Sequence, residues 1–513
     1  MGERYQVLKY NRENLVALFV AGAFKPRLEQ IAQKPQVIFL ARYCEAAKIE
    51  TLVFERDYID KHFAEDHTGY YARCHANYPK ECSRIHFFRQ PFDKDMVEAL
   101  FVSGRGECRF DVLGYHGFVV VKPLPETIIG RTCLAPVGSN PSSRFLTERG
   151  YVPNLFGIDL PVRALPFQEQ DREVGACATS ALWTTLHGTA NLYDNPILSP
   201  IEITKRAFAS LPTAGLALPN DGLDIDQMAG VLRNVGLEAD LFMTPERANI
   251  QAAANAFLRG NIPIILSFDF NLERSKKSKR AFHAVALSGL GPTTGPIVPE
   301  PRTGFLLRAT RITKLYAHDD GIGPYSEIKL SGPSNIITTT WSRKRGTKIT
   351  RARADLCLVP LYSKIRVRFD DVYDAILAFD HILEMLKKLS SNSDMARFEW
   401  DIFLNGPSDL KREIVSRSSL SKIVRKSLLT ANFPRFFWRA VAMVDNEAKL
   451  EFLFDATDLR QGRKFLHEIF YDERVEGSIR FMAKLIQADK LEKIPNLTRT
   501  LFNDLSLVRE QLN

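Results

Sequence analysis

The sequence lacks the features that would place the chain in a membrane or outside the cell. Its most apolar early run, 15–24, is too short to span a bilayer, and the N-terminus shows no charged start followed by a small-residue cleavage site. The seven cysteines are an odd number without framework spacing, which predicts reduced thiols. These absences lead us to expect a cytoplasmic protein without membrane association.

Motifs for nucleotides, nucleic acids and zinc are missing as well. No Gly-x-x-x-x-Gly-Lys-Ser/Thr loop occurs, and the cysteines and histidines of 67–86 contain no Cys-x-x-Cys pair. The net charge of +9 permits an anionic partner, but no helix-turn-helix pattern, zinc-finger spacing or aromatic-rich strand motif accompanies it. We therefore expect no metal, no other cofactor and no nucleic-acid partner.

The length and the apolar content indicate several domains. With 513 residues, of which 45% are hydrophobic, the chain can bury more than one core. Changes in pattern divide it into the segments 1–165, 166–362 and 363–513. Helical and strand-like runs occur in all three segments, so the predicted fold class is α+β: a central domain flanked by N-terminal and C-terminal α+β domains of unknown role.

Two local patterns make this expectation specific. In the first segment, 108–113 and 118–124 alternate like strands, and the glycine-flanked stretch Gly114–Gly117 between them predicts a hairpin turn. In the last segment, apolar residues of 370–389 recur at spacings of three and four, with acids at the start and lysines at the end. This second pattern predicts an amphipathic helix.

Cys177 stands where a polar loop changes abruptly into an apolar helical pattern. That context places a thiol at a helix N-terminus, where the helix dipole and free amides favour the thiolate over the thiol. The common alternative is a small residue buried under a helix. The residues that follow in the chain favour a nucleophile.

Those residues supply the other roles that a nucleophilic thiol needs. His283 lies in a short apolar strand and can act as the base, and Asp319 or Asp320, after the next strand, can orient it; the choice between the two acids stays open. The amide of Cys177 and the side chain of Gln170 can stabilise an oxyanion. His318 is a weaker candidate for the base, since strand alternation places it on the opposite face from Asp319.

A basic run directly precedes the candidate base. It consists of Lys276, Lys277, Lys279 and Arg280. Solvated loop charge is the common explanation of such a run, but its position before His283 predicts a loop over the cleft that binds acidic residues of a substrate.

The candidate catalytic residues resemble the pattern of the papain-like cysteine peptidase superfamily. The pattern consists of a Gln before a Cys that opens a helix, a His in a strand leading to Gly289, and an Asp after the next strand. Within that superfamily, the chain resembles the compact bacterial branch, which includes the double-glycine, bacteriocin-processing peptidases. The resemblance covers about 166–330, roughly a third of the chain. That family usually has glutamine six residues before the cysteine, where this chain has Asp171, and glycine directly after the cysteine, where it has Ala178.

The resemblance implies a thiol protease that hydrolyses a peptide or isopeptide bond of a dedicated protein substrate through a Cys-His-Asp triad. It implies a central domain of helices followed by a sheet, with the nucleophile and the base meeting in a cleft. Two alternatives stay open: an acyltransferase or transglutaminase-like enzyme that uses the same triad, and a non-catalytic papain-like scaffold that binds proteins.

Overall fold

The chain forms two compact units, each assembled from separate stretches. The computed structural model describes residues 3–103, 113–137, 144–171, 173–209, 217–219, 222–243, 250–269, 282–330, 335–339, 351–389, 396–457, 465–485 and 496–506. Unit 1 comprises Met1–Arg247, Asn261–Pro292 and Lys314–Pro360, and unit 2 comprises Ala248–Gly260, Thr293–Thr313 and Leu361–Asn513. Both units contain helices and antiparallel sheets, so the predicted mixed α+β class is confirmed.

The first sheet of unit 1 has five antiparallel strands in the order β1-β2-β3-β4-β5. They are β1 (Tyr5–Lys9), β2 (Thr51–Tyr58), β3 (Cys82–Phe88), β4 (Tyr115–Val121) and β5 (Ile129–Leu134). Five helices and a 3-10 turn belong to the same region: α1 (Arg12–Gly22), α2 (Leu28–Gln33), α3 (Pro35–Ala47), α4 (Lys61–Gly69), α5 (Lys94–Ser103) and the turn Tyr71–Arg73. Buried apolar residues of α1 and α3 pack with those of β2, β3 and β4 in one core.

The predicted turn Gly114–Gly117 is wrong, because β4 already begins at Tyr115. Gly117 has a φ of +123° inside this strand, and a Cβ there would lie 2.0 Å from the carbonyl oxygen of Cys133. The glycine therefore permits the close approach of a neighbouring strand instead of forming a hairpin. Most of the predicted strand 108–113 lies outside the described residues.

The second sheet of unit 1 has eight strands. They are β6 (Arg144–Phe145), β11 (Leu237–Met243), β12 (Ile264–Asp269), β13 (Phe282–Leu290), β14 (Lys314–Asp319), β15 (Gly323–Leu330), β16 (Ile336–Thr339) and β17 (Arg351–Tyr362). Four short strands form two separate pairs: β7 (Arg149–Tyr151) with β10 (Val162–Ala164), and β8 (Asn154–Leu155) with β9 (Ile158–Asp159).

Six strands of the second sheet close into a ring. The pairing runs β17-β12-β13-β14-β15-β16, and β16 pairs back with β17, all antiparallel. Three helices precede all six ring strands in the chain: α6 (Cys177–Tyr193), α7 (Pro200–Ala209) and α8 (Ile225–Asn234). Of these, α6 packs against β12, β13 and β14. The order of helices first and sheet second matches the expectation for the central segment.

Residues on either side of the predicted boundary at 165 belong to one unit. The backbone of Thr132 pairs with that of Phe167 in both directions, at 2.8 and 2.9 Å. The hydroxyl of Tyr325 accepts a hydrogen bond from the amide of Leu165 and donates one to the carbonyl of Leu134. The segments 1–165 and 166–247 thus share a packed structure, and the division into three domains stays a prediction.

Unit 2 is built on a four-stranded antiparallel sheet in the order β18-β19-β20-β21. Its strands are β18 (Glu399–Asn405), β19 (Phe437–Val444), β20 (Glu447–Asp455) and β21 (Phe465–Phe470). Its helices are α9 (Ile250–Leu258), α10 (Phe369–Leu389), α11 (Pro407–Ser416), α12 (Lys422–Thr430), α13 (Glu473–Leu485) and α14 (Asn496–Ser506), with a 3-10 turn at Arg308–Arg311. The helix predicted over 370–389 is therefore confirmed as α10.

The helix α9 comes before the ring strands in the chain but belongs to unit 2. Asn255 donates a hydrogen bond to Asp401 at 2.8 Å, and Arg259 forms an ion pair with the same carboxylate. Asp401 is buried, so these partners compensate its charge and fix α9 against β18. In the part of the chain that the structure describes, no helix combines the length and the apolar character needed to cross a bilayer.

Candidate active site

The helix α6 begins at Cys177, as the change of pattern predicted. Ala176 is the N-cap residue; its backbone is extended, and it offers no side chain to the first amides of the helix. Among the described residues no side chain caps those amides, and together with the helix dipole they favour a negative group beside them. The start of α6 is therefore a position suited to an anionic nucleophile.

Cys177 differs from the other described cysteines in its surroundings. Four of them are buried: Cys44, Cys82, Cys133 and Cys357. Burial raises the pKa of each of these four thiols, to about 12 for Cys133 and Cys357. Cys177 is half-buried, and hydrogen bonding with its side chain contributes to the raised pKa of His283. Half-buried Cys74 instead donates to the backbone carbonyl of Tyr70.

His283 lies at the start of β13, and its ring packs edge-on against Phe268 on the paired strand β12. Its Nε2 lies 3.0 Å from Oδ1 of Asp319. Because an ionised carboxylate can only accept, Nε2 carries the hydrogen and donates it. Burial by itself lowers the pKa of His283, but the charges of Asp319 and Asp320 and the hydrogen bonds with Asp319 and Cys177 outweigh it and raise the pKa well above 6.5.

Asp319 is the last residue of β14, and the turn that follows holds its carboxylate in place. Oδ1 accepts a hydrogen bond from the amide of Gly321 at 3.0 Å as well as the one from His283. The carbonyl of Asp319 accepts from the amide of Ile322, which closes the turn before β15. Of the two acids that the sequence left open, Asp319 is the hydrogen-bond partner of His283.

Asp320 also reaches the imidazole, because β14 ends between the two acids and strand alternation no longer separates their side chains. Its Oδ1 lies 3.5 Å from Nε2 of His283, and within the described part of the chain neither carboxylate oxygen has a hydrogen-bond partner. Burial and the charges of Asp319 and Glu169 raise the pKa of Asp320 to about 7, although the charge of His283 opposes this. Asp320 is therefore a buried carboxyl group that holds a proton far more readily than usual.

Asp320 predicts a specific pH dependence of stability. Its pKa is 3.8 when exposed and about 7 in the folded protein, so the folded state retains a proton that the unfolded state releases. The stabilisation is complete below about pH 4 and is lost as the pH rises through about 7. Relative to Asp320→Asn, we expect the free energy of unfolding of the natural protein to fall by about 1 to 4 kcal/mol across this range.

Denaturant unfolding of both proteins at several pH values measures this difference directly. The raised pKa of His283 acts in the same direction, since its stabilisation is present below pH 6.5 and is lost only as the pH rises through its folded value. If the free energy of unfolding of the natural protein instead rose with pH relative to that of Asp320→Asn, the buried placement of Asp320 would be contradicted.

His318 is buried on the other side of β14, as alternation predicted. Its ring stacks on Phe167 and lies 4.6 Å from the ring of Tyr325. Burial lowers the pKa of His318 to about 3, and among the described residues neither ring nitrogen has a hydrogen-bond partner. A neutral imidazole enclosed by aromatic rings does not compete with His283 as the base.

The loop before α6 departs from the sequence-based expectation. Gln170 is half-buried, and its side-chain amide forms no hydrogen bond with the residues that the structure describes, so its oxyanion role stays a prediction. The next residue, Asp171, is buried, and its Oδ1 accepts the amides of Glu173, Val174 and Gly175 at 2.9 to 3.1 Å. Asp171 therefore shapes the loop and acts as an acceptor, whereas an oxyanion requires a donor.

Two further contacts at the site involve residues that the sequence did not indicate. Tyr71 donates a hydrogen bond to Oδ2 of Asp171 at 3.0 Å, and Gln36 donates one to the backbone carbonyl of Asp320 at 2.7 Å. The partners are separated by 100 and 284 residues in the chain. Contacts over such separations leave no local pattern, so a single sequence contains no signal for them.

The predicted substrate-binding residues Lys276, Lys277, Lys279 and Arg280 lie outside the described residues.

Three buried side chains of the site could also hold a metal ion, because one ligand atom of each lies within 4.8 Å of those of the other two. They are the side chains of His283, Asp319 and Asp320. An ion there would have to displace the hydrogen on Nε2 that Asp319 accepts.

The comparisons with known proteins give no family for the chain. A scan against models of protein families finds no match. A search of curated protein sequences finds none either. The function therefore has to be inferred from the geometry of Cys177, His283, Asp319 and Asp320.

Proposed function

We propose that the chain is a papain-like cysteine peptidase that hydrolyses a peptide or isopeptide bond of a protein substrate. The observation that carries the proposal is that Nε2 of His283 donates a hydrogen bond to Asp319, while the side chain of Cys177, at the start of α6, helps to raise the pKa of His283. A nucleophile, a base and a group that orients the base are the parts of a thiol hydrolase.

The fold supports this proposal independently of the side chains. The candidate nucleophile opens a buried helix, α6, and the candidate base and its acid lie on β13 and β14, against which α6 packs. The nucleophile and the base therefore come from different layers of unit 1 and meet at the boundary between a helix and a sheet. This is the layout that the resemblance to papain-like enzymes implied.

In the first half of the proposed reaction, the sulfur of Cys177 attacks the carbonyl carbon of the scissile bond. A carbon–sulfur bond forms, and the carbonyl oxygen becomes an oxyanion that the uncapped amides at the start of α6 stabilise. His283 then gives its proton to the leaving nitrogen, the carbon–nitrogen bond breaks, and a thioester remains on Cys177. Asp319 keeps the imidazole oriented throughout.

In the second half, His283 accepts a proton from water as the water attacks the thioester. The acid product leaves, and the proton returns to the pair formed by Cys177 and His283. If an amine attacked in place of water, the same intermediate would yield a transferred acyl group. The substrate is proposed to be a protein, because unit 2 and the first sheet of unit 1 provide surface beyond what the chemistry requires.

A peptide library made by digesting a whole proteome tests the proposal. We expect the natural protein to create new peptide termini that mass spectrometry detects, and the Cys177→Ala variant to create none. Cys74→Ala is the matched control, because it also removes a half-buried thiol but leaves the candidate site intact. Adding glycinamide during the digestion shows whether an amine captures the thioester and reveals acyl transfer.

Equal cleavage by the natural protein and by Cys177→Ala would mean that the activity comes from a contaminant. No cleavage by either protein, together with an unreactive Cys177, would instead favour the scaffold alternative. A pull-down with Cys177→Ala then becomes a test for a bound protein that is not a substrate.

A further inference from the structure

We propose that the N-terminal part of unit 1 holds the candidate site in its reactive geometry through two buried contacts, Tyr71 with Asp171 and Gln36 with the carbonyl of Asp320. This inference rests on the proposed function, because it concerns the positioning of Cys177 and of the acids beside His283. The N-terminal segment, whose role the sequence alone does not indicate, would then take part in the site itself.

The first contact acts on the loop that leads into α6. One carboxylate oxygen of Asp171 accepts hydrogen bonds from three consecutive amides of this loop, those of Glu173, Val174 and Gly175. Its other oxygen accepts from the hydroxyl of Tyr71, which follows α4 in the chain. Burial and the charge of Asp171 raise the pKa of Tyr71 far above 10, so the hydroxyl keeps its proton and remains a donor.

The same loop has two more partners outside it. Tyr70 donates to the carboxylate of Glu173 at 2.5 Å, and Thr204 on α7 donates to the carbonyl of Val174 at 2.7 Å. Space is also restricted, since a Cβ on Gly175 would lie 3.1 Å from Cγ2 of Thr179. The backbone immediately before Cys177 is therefore held from several directions, and the Tyr71 contact is the one that fixes Asp171.

The second contact acts on the acidic turn. Gln36 lies in the first turn of α3 and is buried, and its amide donates to the carbonyl of Asp320. The ring of Phe39, one turn later, packs on Gly323, where a Cβ would lie 2.4 Å from Cδ1 of the ring. Lys34, just before α3, forms an ion pair with Glu169, whose charge contributes to the raised pKa of Asp320.

Together the two contacts reach both sides of the candidate site, the start of α6 at Cys177 and the turn that carries Asp319 and Asp320. One fixes the backbone that carries the nucleophile, and the other fixes the turn that carries the acids. A displacement of either side by about 1 Å would change the positions of Cys177 and the acids relative to His283, and displacements of this size can lower a rate by about 100-fold. We therefore assign Tyr71, Asp171 and Gln36 as positioning residues.

The experiment uses the full-length protein with single conservative substitutions. Tyr71→Phe removes one hydroxyl, and Gln36→Met removes the amide at nearly constant shape. The matched controls are Tyr115→Phe, which removes the hydroxyl bonded to His86, and Gln227→Met, which removes a buried glutamine at the start of α8. The readout is the rate at which iodoacetamide alkylates Cys177 between pH 5 and pH 9, followed by mass spectrometry.

We expect Tyr71→Phe and Gln36→Met each to lower the alkylation rate of Cys177 at pH 6.5 by about tenfold and to move its pH profile toward that of an ordinary thiol. The controls should keep the natural profile, even if their melting temperatures fall as far. Because the contacts act at opposite ends of the site, the double variant should show the two effects multiplied.

Two results separate failure of this inference from failure of the proposed function. If Cys177 of the natural protein is reactive at pH 6.5 and both variants match their controls, the positioning contacts are refuted while the peptidase proposal stands. If Cys177 of the natural protein already behaves as an ordinary thiol, the proposed function fails, and the inference fails with it.

Discussion

In a His283→Ala variant, we expect iodoacetamide to alkylate Cys177 only as the pH approaches the titration range of an ordinary thiol, near 8.5. In the natural protein the reaction should already be fast at pH 6.5. The reason is that His283, whose pKa the neighbouring carboxylates raise well above 6.5, carries a positive charge beside the sulfur at that pH. An ordinary thiol is only about 1% ionised at pH 6.5, so the loss of rate in the variant should reach about 100-fold.

The other cysteines provide internal controls for this experiment. Half-buried Cys74 should react identically in the natural protein and in the variant, because it contacts the carbonyl of Tyr70 and not His283. The four buried thiols should stay unmodified in both proteins as long as the fold is intact. Equal rates for Cys177 with and without His283 would show that the imidazole does not activate the thiol.

The second large effect is expected from Asp319→Asn. The amide keeps the size of the side chain but removes the charge and offers a hydrogen where Nε2 of His283 needs an acceptor. We expect kcat/KM on any cleaved peptide to fall by about 100-fold or more. The pKa of His283 should also fall, since the charge of Asp319 raises that pKa more than the charge of Asp320 does. The alkaline limb of the pH profile of kcat/KM should therefore move to lower pH.

Asp320→Asn is the matched comparison, since the two acids are adjacent in the chain and both are buried. It removes a charge 3.5 Å from Nε2 but leaves the hydrogen bond to Asp319 in place. We expect a smaller loss of kcat/KM, less than about tenfold, with a smaller shift of the alkaline limb in the same direction. If Asp320→Asn caused the greater loss, the roles of the two acids would have to be exchanged.

Local sequence patterns predicted those parts of the fold whose structure is determined by residues close together in the chain. The helix over 370–389 appears as α10, because its apolar spacing, acidic start and basic end agree with one another. The turn predicted at Gly114–Gly117 was wrong, because Gly117 permits the close approach of β5, a strand that begins twelve residues later. A glycine in a sequence shows that space or conformational freedom is needed, but not which of the two.

The candidate site likewise contains residues that local patterns indicate and residues that they do not. Cys177, His283 and the acids at 319 and 320 could be predicted, because each lies at the end of a recognisable helix or strand and their order matches a known reaction. The choice of Asp319 depended on a turn in which the amide of Gly321 shares the carboxylate. The position of Asp171 as a loop organiser could not be predicted, since its partner Tyr71 comes from a helical region 100 residues earlier.

The interleaving of the two units has a consequence for synthesis and folding. The chain passes from one unit to the other five times, and the last stretch of unit 1 ends at Pro360. A ribosome that adds about 5 to 20 residues per second therefore exposes Cys177 well before β13 and β14 have emerged. During that interval the nascent helix α6 has neither His283 nor Asp319 beside it, so the candidate site can form only after β13 and β14 have been made.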